Sequence, residues 1–335
     1  MRYPEFLKKG DTIGLVAPSF GVSGFPYEDR FRSACGKAEK KGYKLRMCDS
    51  IHGFSHGASN KPEIRAAEFM KMYLDDEVDF VHSVAGGELM CQILPHLDFG
   101  KIAEAKPKWF AGYSDNTCLR FLMPILSDTA AFYSYCFGEF GMRGTDRSQK
   151  EAQEIFTGKR LHQESYRKYD GSQERDEDPL AGYKKTRNIV IKSINREDCC
   201  FHGRMIGGCL DVLQCLCGTV DIEPFLERYE KDGFIWFMEA YDPNPLGISR
   251  ALWQLKNAGW FRYCRGFVFG RSVHQGDVLF DVTFEESLEQ LLDYDVPIIY
   301  NCDIGHLPPS WTVIEGALAT VKKEGSRCSI DYRLD

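Results

Sequence analysis

What most restricts the fold of this chain is an alternation, through its first part, of short apolar runs with amphipathic helical segments, punctuated by glycine and proline. Thr12-Ile13-Gly14-Leu15-Val16-Ala17-Pro18 reads as a buried parallel strand stopped by proline, with Ser19-Phe20-Gly21 as the loop after it. Glu28 to Lys41 carries Phe31, Cys35 and Ala38 at i, i+4 and i+7 and stops at Gly42, the place of a helix C′ glycine. Tyr43 to Met47 follows as a strand. Pro62 then opens a helix to Leu74, and Val78 to Val84 is a strand ending in Ala85-Gly86-Gly87. This βαβαβ rhythm requires crossovers between parallel strands and hence an α/β fold. Such sheets bind ligands at the carboxyl ends of their strands, so chemistry is expected in the loops after Ala17, Val84 and Gly112.

The texture changes between Lys159 and Asn188. Tyr169 to Asp178 is highly charged and without periodicity, as a solvated surface connection would be. The expected organisation is therefore a domain over 1–160, a linker over 161–188 and a second domain over 189–335. The second domain reads as mixed α/β. Its expected strands are Asn188 to Ser193, Phe234 to Met238, Gly266 to Gly270, Pro297 to Tyr300 and Val313 to Val321. Its expected helices are Gly208 to Cys217, one with Ile248, Leu252 and Leu255 on a face that ends at Gly259, and one that starts at Thr283 with a capping box to Glu286. No internal repeat is visible.

With 335 residues, 43% hydrophobic and 27% charged, the chain has enough material for about two cores. A formal net charge of −7 argues against a nucleic-acid partner, whose phosphates are gripped by clustered Lys and Arg. No run approaches the ~18 apolar residues of a membrane span, and the start, Met1 to Gly10, lacks the apolar core of a signal peptide; no membrane partner and a cytoplasmic location are expected. The 13 cysteines are odd in number and scattered, so structural disulfides are not expected. Neither Cys199-Cys200-Phe201-His202 nor Cys215-Leu216-Cys217 has paired zinc-ligand spacing, and no metal is expected.

The strongest chemical signal is Trp109-Phe110-Ala111-Gly112-Tyr113-Ser114-Asp115-Asn116-Thr117, followed by apolar Cys118 to Leu122. A strand passes through a glycine to Ser114 and turns directly into a helix, placing a hydroxyl where helix N–H groups favour developing negative charge. Ser114 fits a nucleophile and equally an N-cap; Asn116 stands where the G-x-S-x-G elbow has its second glycine. A serine nucleophile needs a base and an acid that orients it. Glu239 ends the buried run Phe234 to Met238, with Asp242 as a rival. His306 lies in the Gly- and Pro-bounded loop Asn301 to Pro309, with His82 and His274 as competitors. Gly86-Gly87 offers backbone N–H that, with that of Asp115, fits an oxyanion hole, or else a tight turn. The lack of G-x-G-x-x-G in the first turn argues against a dinucleotide, and no cofactor is expected.

Taken in order, Leu7 to Pro18, Gly86-Gly87, Gly112-Tyr113-Ser114-Asp115, Met205-Ile206-Gly207-Gly208-Cys209-Leu210, Phe237-Met238-Glu239 and Asp303-Ile304-Gly305-His306 resemble the serine peptidases of the LD-carboxypeptidase family, which also includes the microcin C self-immunity proteins. The resemblance implies an amino-terminal flavodoxin-like parallel sheet with helices, a carboxy-terminal swivelling-type β-rich α/β domain, and a homodimer. It implies Ser114 as nucleophile, His306 as general base, Glu239 as orienting acid, and an oxyanion hole from the N–H groups of Asp115 and Gly87, with Gly86 beside the substrate. The implied substrate is a murein-derived peptide that loses a terminal D-amino acid, or an aminoacyl- or peptidyl-nucleotide amide as in the self-immunity branch. Glu88-Leu89-Met90-Cys91-Gln92 is closer to the latter branch, whereas 159–188 contains no tryptophan to stack on a base and offers Tyr166, Tyr169 or Tyr183 instead. Outside the resemblance stands a non-catalytic protein that binds a small phosphate ligand.

Overall fold

A computed structural model describes residues 1–24, 26–172 and 177–335, and the chain divides into two compact units. The first comprises Met1–Arg160, the described residues of 173–183, and Thr312–Ile314; the second comprises Leu161–Ser172, Lys184–Trp311 and Glu315–Asp335.

The first unit is built on strands β1 (Thr12–Val16), β2 (Lys44–Met47), β3 (Phe80–Ser83), β4 (Trp109–Gly112) and β5 (Ala131–Tyr133), with helices α1 (Tyr27–Lys40), α2 (Pro62–Leu74), α3 (Phe99–Glu104), α4 (Thr117–Ser127) and α5 (Arg147–Phe156). The five strands are parallel in the order β2-β1-β3-β4-β5, which is the flavodoxin-like winding. Successive crossovers reverse direction between β1 and β3, so the loops leaving those two strands part and open a crevice at their carboxyl ends. The strands are continuously apolar because both faces are covered: all of β3, β4 and β5 is buried, and Trp109 stacks on Phe132 at 4.1 Å between ring centres. α4 is buried along nearly its whole length and ends where Asp128 turns left-handed at φ 50°.

The second unit is a β-rich α/β structure. Its strands are β6 (His162–Glu164), β7 (Lys168–Tyr169), β8 (Arg187–Asn188), β9 (Lys192–Ser193), β10 (Cys199–Cys209), β11 (Phe234–Glu239), β12 (Cys264–Gly270) and β13 (Ile298–Cys302), then β15 (Leu318–Glu324) and β16 (Arg327–Arg333) after β14 (Val313–Glu315). Helices α6 (Leu210–Leu216), α7 (Glu223–Arg228), α8 (Pro245–Asn257) and α9 (Phe284–Leu288) connect them. Eight strands form one mixed sheet in the order β6-β16-β15-β10-β11-β12-β13-β9, with β10 to β13 parallel and the pairs outside them antiparallel. The Thr283–Glu286 capping box is present at the start of α9.

Several element readings need correction. The apolar run Val313 to Val321 is two strands, not one: β14 adds to the first unit's sheet beside β5, and after Gly316, at φ 87°, β15 joins the eight-stranded sheet. Asn188 to Ser193 is likewise divided, its ends pairing separately as β8 with β7 and β9 with β13. The helix placed at Gly208 begins at Leu210, because β10 runs on through Gly207 and Gly208, both at φ 144°, to Cys209. A Cβ on Gly207 would overlap the Phe237 backbone, so the glycine allows β10 to lie against β11. The 161–188 stretch contains all of β6, β7 and β8, and of its charged run Tyr169 to Asp178, residues 173–176 lie outside the described residues.

Candidate active site

In the first unit, three loops from the carboxyl ends of β1, β3 and β4 converge. The loop after β4 carries Ser114 at φ 62°, a left-handed backbone that costs a residue with a Cβ about 1–3 kcal/mol and is held only where its surroundings insist on it. Those surroundings are visible. Asn116 donates from Nδ2 to Tyr113 O at 2.9 Å and to Ala85 O at 3.0 Å, bracing the turn against the end of β3, and Gly112 leaves room for it, since a Cβ there would fall 2.7 Å from Asn116 Cγ. The N-cap alternative for Ser114 is not the arrangement observed. A short 3-10 turn, Ser114–Asn116, leads into α4, the flanking positions are Tyr113 and Asn116, and neither makes a side-chain cap.

Gly86 backs directly onto the serine: a Cβ at Gly86 would lie 3.2 Å from Ser114 Cβ and 3.3 Å from Oγ. Gly87, at φ 150°, has no room for a Cβ, which would overlap Ser19 Oγ and sit 2.9 Å from Phe20 Cδ1. Asp115 is 4% exposed and uses its carboxylate structurally: Oδ2 accepts from the Ser19 hydroxyl and, at 2.8 Å, from Met90 N–H. Burial pushes its pKa above the ordinary carboxylate range, against the opposing pull of those two donors and of Arg65. Arg65, 1% exposed on α2, donates from Nη1 to Pro18 O at 2.7 Å and to Leu89 O at 3.2 Å, and from Nη2 to Gln92 Oε1 at 3.1 Å. Ser114, Asp115, Gly86 and Gly87 are thus brought together as a set. Ser19 and Arg65 were missed by the sequence reading. Ser19 had a signal, its place in the loop after a buried strand; Arg65 had none, because an arginine on an amphipathic helix ordinarily faces water.

In the second unit, Glu239 is the last residue of β11 and His306 lies in the loop after β13, and the two meet: His306 Nδ1 is 2.9 Å from Glu239 Oε2. The Glu239 side chain is wholly inaccessible and that of His306 is 15% exposed. A carboxylate on Nδ1 makes that nitrogen the proton carrier and leaves Nε2 as the acceptor. Gly305, at φ 103°, permits the approach, since a Cβ there would lie 2.7 Å from Glu239 Oε2. The Tyr241 ring covers the imidazole, its centre 4.4 Å away. Asp211 Oδ1 accepts from Asp242 N–H at 3.1 Å and Oδ2 from Tyr241 N–H at 3.3 Å and from the Cys209 thiol at 3.1 Å, fixing the turn that follows Glu239. Burial, then the Glu239 charge, raise the Asp211 pKa. The His306 loop is pinned by a buried ion pair, Arg271 Nη1 to Asp303 Oδ1 at 2.6 Å, with Arg271 Nη2 also donating to Leu307 O and Pro309 O at 2.7 Å each.

The competing residues have other places. His82 is buried among Phe80, Phe137, Phe140 and Phe156 with Nε2 2.9 Å from Tyr135 O, and burial lowers its pKa to about 4. His274 pairs with Asp277 at 2.8 Å within one turn, and Asp242 presents its backbone rather than its carboxylate to the Asp211 cluster. Of the tyrosines considered for stacking, Tyr166 is 5% exposed, Tyr183 lies on Tyr135 at 6.3 Å between ring centres, and Tyr169 faces the Arg271 guanidinium at 5.0 Å.

A strained serine on a strand-to-helix turn and a buried carboxylate–imidazole pair are the parts of a serine-type hydrolase. The chain belongs to the LD-carboxypeptidase family: residues 13–134 match the LD-carboxypeptidase N-terminal domain and residues 202–321 the LD-carboxypeptidase C-terminal domain. It is a hydrolase of the serine peptidase or amidase class. Among curated proteins it is 28% identical over 328 residues to a probable murein peptide carboxypeptidase of Bacillus subtilis (strain 168), spanning 95% of this chain and 91% of that protein. It is 24% identical to a putative carboxypeptidase of Vibrio cholerae, spanning 99% and 98% of the two chains. Among solved structures its fold matches an MccF-like protein from Bacillus anthracis str. Ames, with a TM-score of 0.83 at 22% identity over 99% of this chain and 100% of that one. It also matches the microcin C7 self immunity protein MccF in complex with aspartyl sulfamoyl adenosine, with a TM-score of 0.81 at 21% identity over 99% of both chains. Among the described residues, no helix is long and apolar enough to cross a membrane.

Proposed function

We propose that this protein is an LD-carboxypeptidase that releases a terminal D-amino acid from a murein-derived peptide, with Ser114 as nucleophile, His306 as general base and Glu239 as the group that orients it. The observation that carries this reading is Ser114 itself, held at positive φ with Gly86 against its hydroxyl, in a chain of this family. In the proposed reaction, His306 Nε2 removes the hydroxyl proton as Ser114 Oγ attacks the amide carbonyl, while the Nδ1–Glu239 contact stabilises the imidazolium that forms. The N–H groups of Gly87 and Asp115 receive the oxyanion. The tetrahedral intermediate then expels the amine, which takes its proton from His306, and water hydrolyses the acyl-enzyme by the same steps. The proposed setting is cell-wall recycling by a cytoplasmic homodimer, with the nucleophile in a domain over 1–160, a linker over 161–188 and Glu239 and His306 in a domain over 189–335.

A second reading, cleavage of the amide in an aminoacyl- or peptidyl-nucleotide, is favoured by the fold's likeness to MccF structures in complex with glutamyl sulfamoyl guanosine and aspartyl sulfamoyl adenosine. Mass spectrometry of wild type and Ser114→Ala with a murein tetrapeptide ending in D-Ala and with an aminoacyl sulfamoyl adenosine separates the two. Release of D-Ala by wild type alone supports the first reading, and cleavage of the adenosine compound alone replaces it with the second. No Ser114-dependent turnover of either refutes both.

A further inference from the structure

The first unit contains a cavity of about 650 Å³, within the ~300–1,000 Å³ range of small-molecule sites, whose lining includes none of the loop residues gathered around Ser114. Its floor is apolar and comes from Ile13 near the start of β1, Phe80 and His82 on β3, and Phe137, Phe140 and Phe156 around them. Ser19, Gly86 and Ser114, by contrast, follow the carboxyl ends of β1, β3 and β4. The polar part of the lining is unusual for a chain of net charge −7: it holds Lys8, Lys9, Lys37, Lys41, Lys150 and Lys159 against a single carboxylate, Glu154.

That carboxylate already has partners, Arg160 at 2.7 Å and Lys150 at 3.9 Å, and Lys8 pairs with Glu5 at 2.8 Å. Lys37 and Lys41 instead reach neutral acceptors: Lys37 donates to Phe140 O at 3.1 Å, Gly144 O at 2.8 Å and Met142 O, and Lys41 donates to the Gln153 side-chain oxygen. These carbonyls orient the two ammonium groups without neutralising them. Burial lowers both lysine pKa values, and the Lys37 charge lowers that of Lys41 further. Like charges gathered at the rim of an apolar cavity repel one another, and an anion between them would relieve that repulsion.

We propose that this cavity is a binding site for a small amphipathic anion, its apolar body lodged on the Phe80–Phe137–Phe156 floor and its anionic head among the lysines. This site is separate from the hydrolytic one and does not depend on its assignment. The test is isothermal titration of the full chain with decanoate, with decanol and decylamine as neutral and cationic controls. One decanoate should bind per chain, at least about tenfold more tightly than either control, and should weaken as ionic strength rises. Lys41→Glu/Lys159→Glu reverses two charges of the lining and should weaken decanoate at least about tenfold while leaving decanol unchanged. Ala38→Trp, on the α1 side of the lining, should block all binding, with circular dichroism confirming its fold. No decanoate binding at millimolar concentration, equal binding of the three probes, or full affinity in the doubly charge-reversed variant would overturn the proposal.

Discussion

Glu239→Gln tests the proposed mechanism at the contact the structure defines most sharply. The substitution preserves the shape of a side chain that has no access to solvent and sits 2.9 Å from His306 Nδ1. It removes the negative charge that would balance an imidazolium, and the buried position admits no water to replace it. The amide can also turn its NH2 group toward Nδ1, which would move the histidine proton to Nε2, where a general base cannot use it. In the serine triad, the equivalent loss lowers kcat by about 10⁴-fold, or about 5 kcal/mol of transition-state stabilisation at ~1.4 kcal/mol per decade. The expected result is therefore a kcat lower by about 10³- to 10⁴-fold on the wild-type substrate, with KM little changed and unfolding free energy within about 1 kcal/mol of wild type. Because the Glu239 charge helps raise the Asp211 pKa, that pKa should also fall in the variant, as carboxyl NMR titration would show. A kcat within about tenfold of wild type, in a preparation where Ser114→Ala is inactive, would remove Glu239 from the mechanism.

Three further outcomes follow from the packing. Gly87→Ala must fit a Cβ against Ser19 and Phe20 at φ 150°, so urea denaturation should show a loss of about 2–5 kcal/mol, combining strain and overpacking; less than about 0.5 kcal/mol would mean the loop yields freely. His82, with a folded-state pKa near 4 against about 6.5 when unfolded, favours the native state fully above pH 6.5 and loses that contribution as pH falls toward 4. The loss is about 3 kcal/mol, and His82→Gln should flatten that part of the urea stability–pH profile; an unchanged slope would count against it. Asp303→Ala strands the 1%-exposed Arg271 guanidinium and the Tyr166 N–H, so it should cost about 3–5 kcal/mol, with activity falling as the His306 loop loosens. Unaltered stability and activity would show that Arg271 is held adequately by its three carbonyl acceptors.

The parallel sheet of the first unit was legible because burial on both faces forces uninterrupted apolar runs, and the crossover helices between those runs carry their own glycine and proline stops. The same logic failed where composition and pairing separate. β10 went without an expected strand, since Cys199-Cys200-Phe201-His202-Gly203-Arg204 is too polar to look like an interior strand; it is nonetheless central in its sheet, paired with both β11 and β15. β16 was missed for a similar reason. Its exposed face carries Arg327, Asp331 and Arg333 between the buried Cys328, Ile330 and Tyr332, an alternation proper to an antiparallel strand covered on one side. Val313 to Val321 misled in the opposite sense, because hydrophobicity cannot reveal that one apolar run serves two sheets.

The candidate site was legible in its residue types but not in its supports. Ser114, Glu239 and His306 stand at strand ends or beside glycines, and those positions leave a mark in sequence. Arg65, Arg271 and Asp303 do not, because buried charge looks like surface charge until its partners are known. The supports nonetheless set the cost of the arrangement. Ser114 adopts a backbone conformation that a serine alone would leave, and Gly86, Gly112 and Asn116 oppose its relaxation through close packing and the two Asn116 side-chain hydrogen bonds. It follows that Ser114→Gly, which relieves the φ 62° strain while deleting the hydroxyl, should be more stable than Ser114→Ala, which keeps it. The usual ranking, in which glycine destabilises relative to alanine through the entropy of the unfolded chain, should invert here by about 1 kcal/mol. Paired urea titrations of the two variants measure this directly, and a more stable Ser114→Ala would show that the positive φ stores no strain.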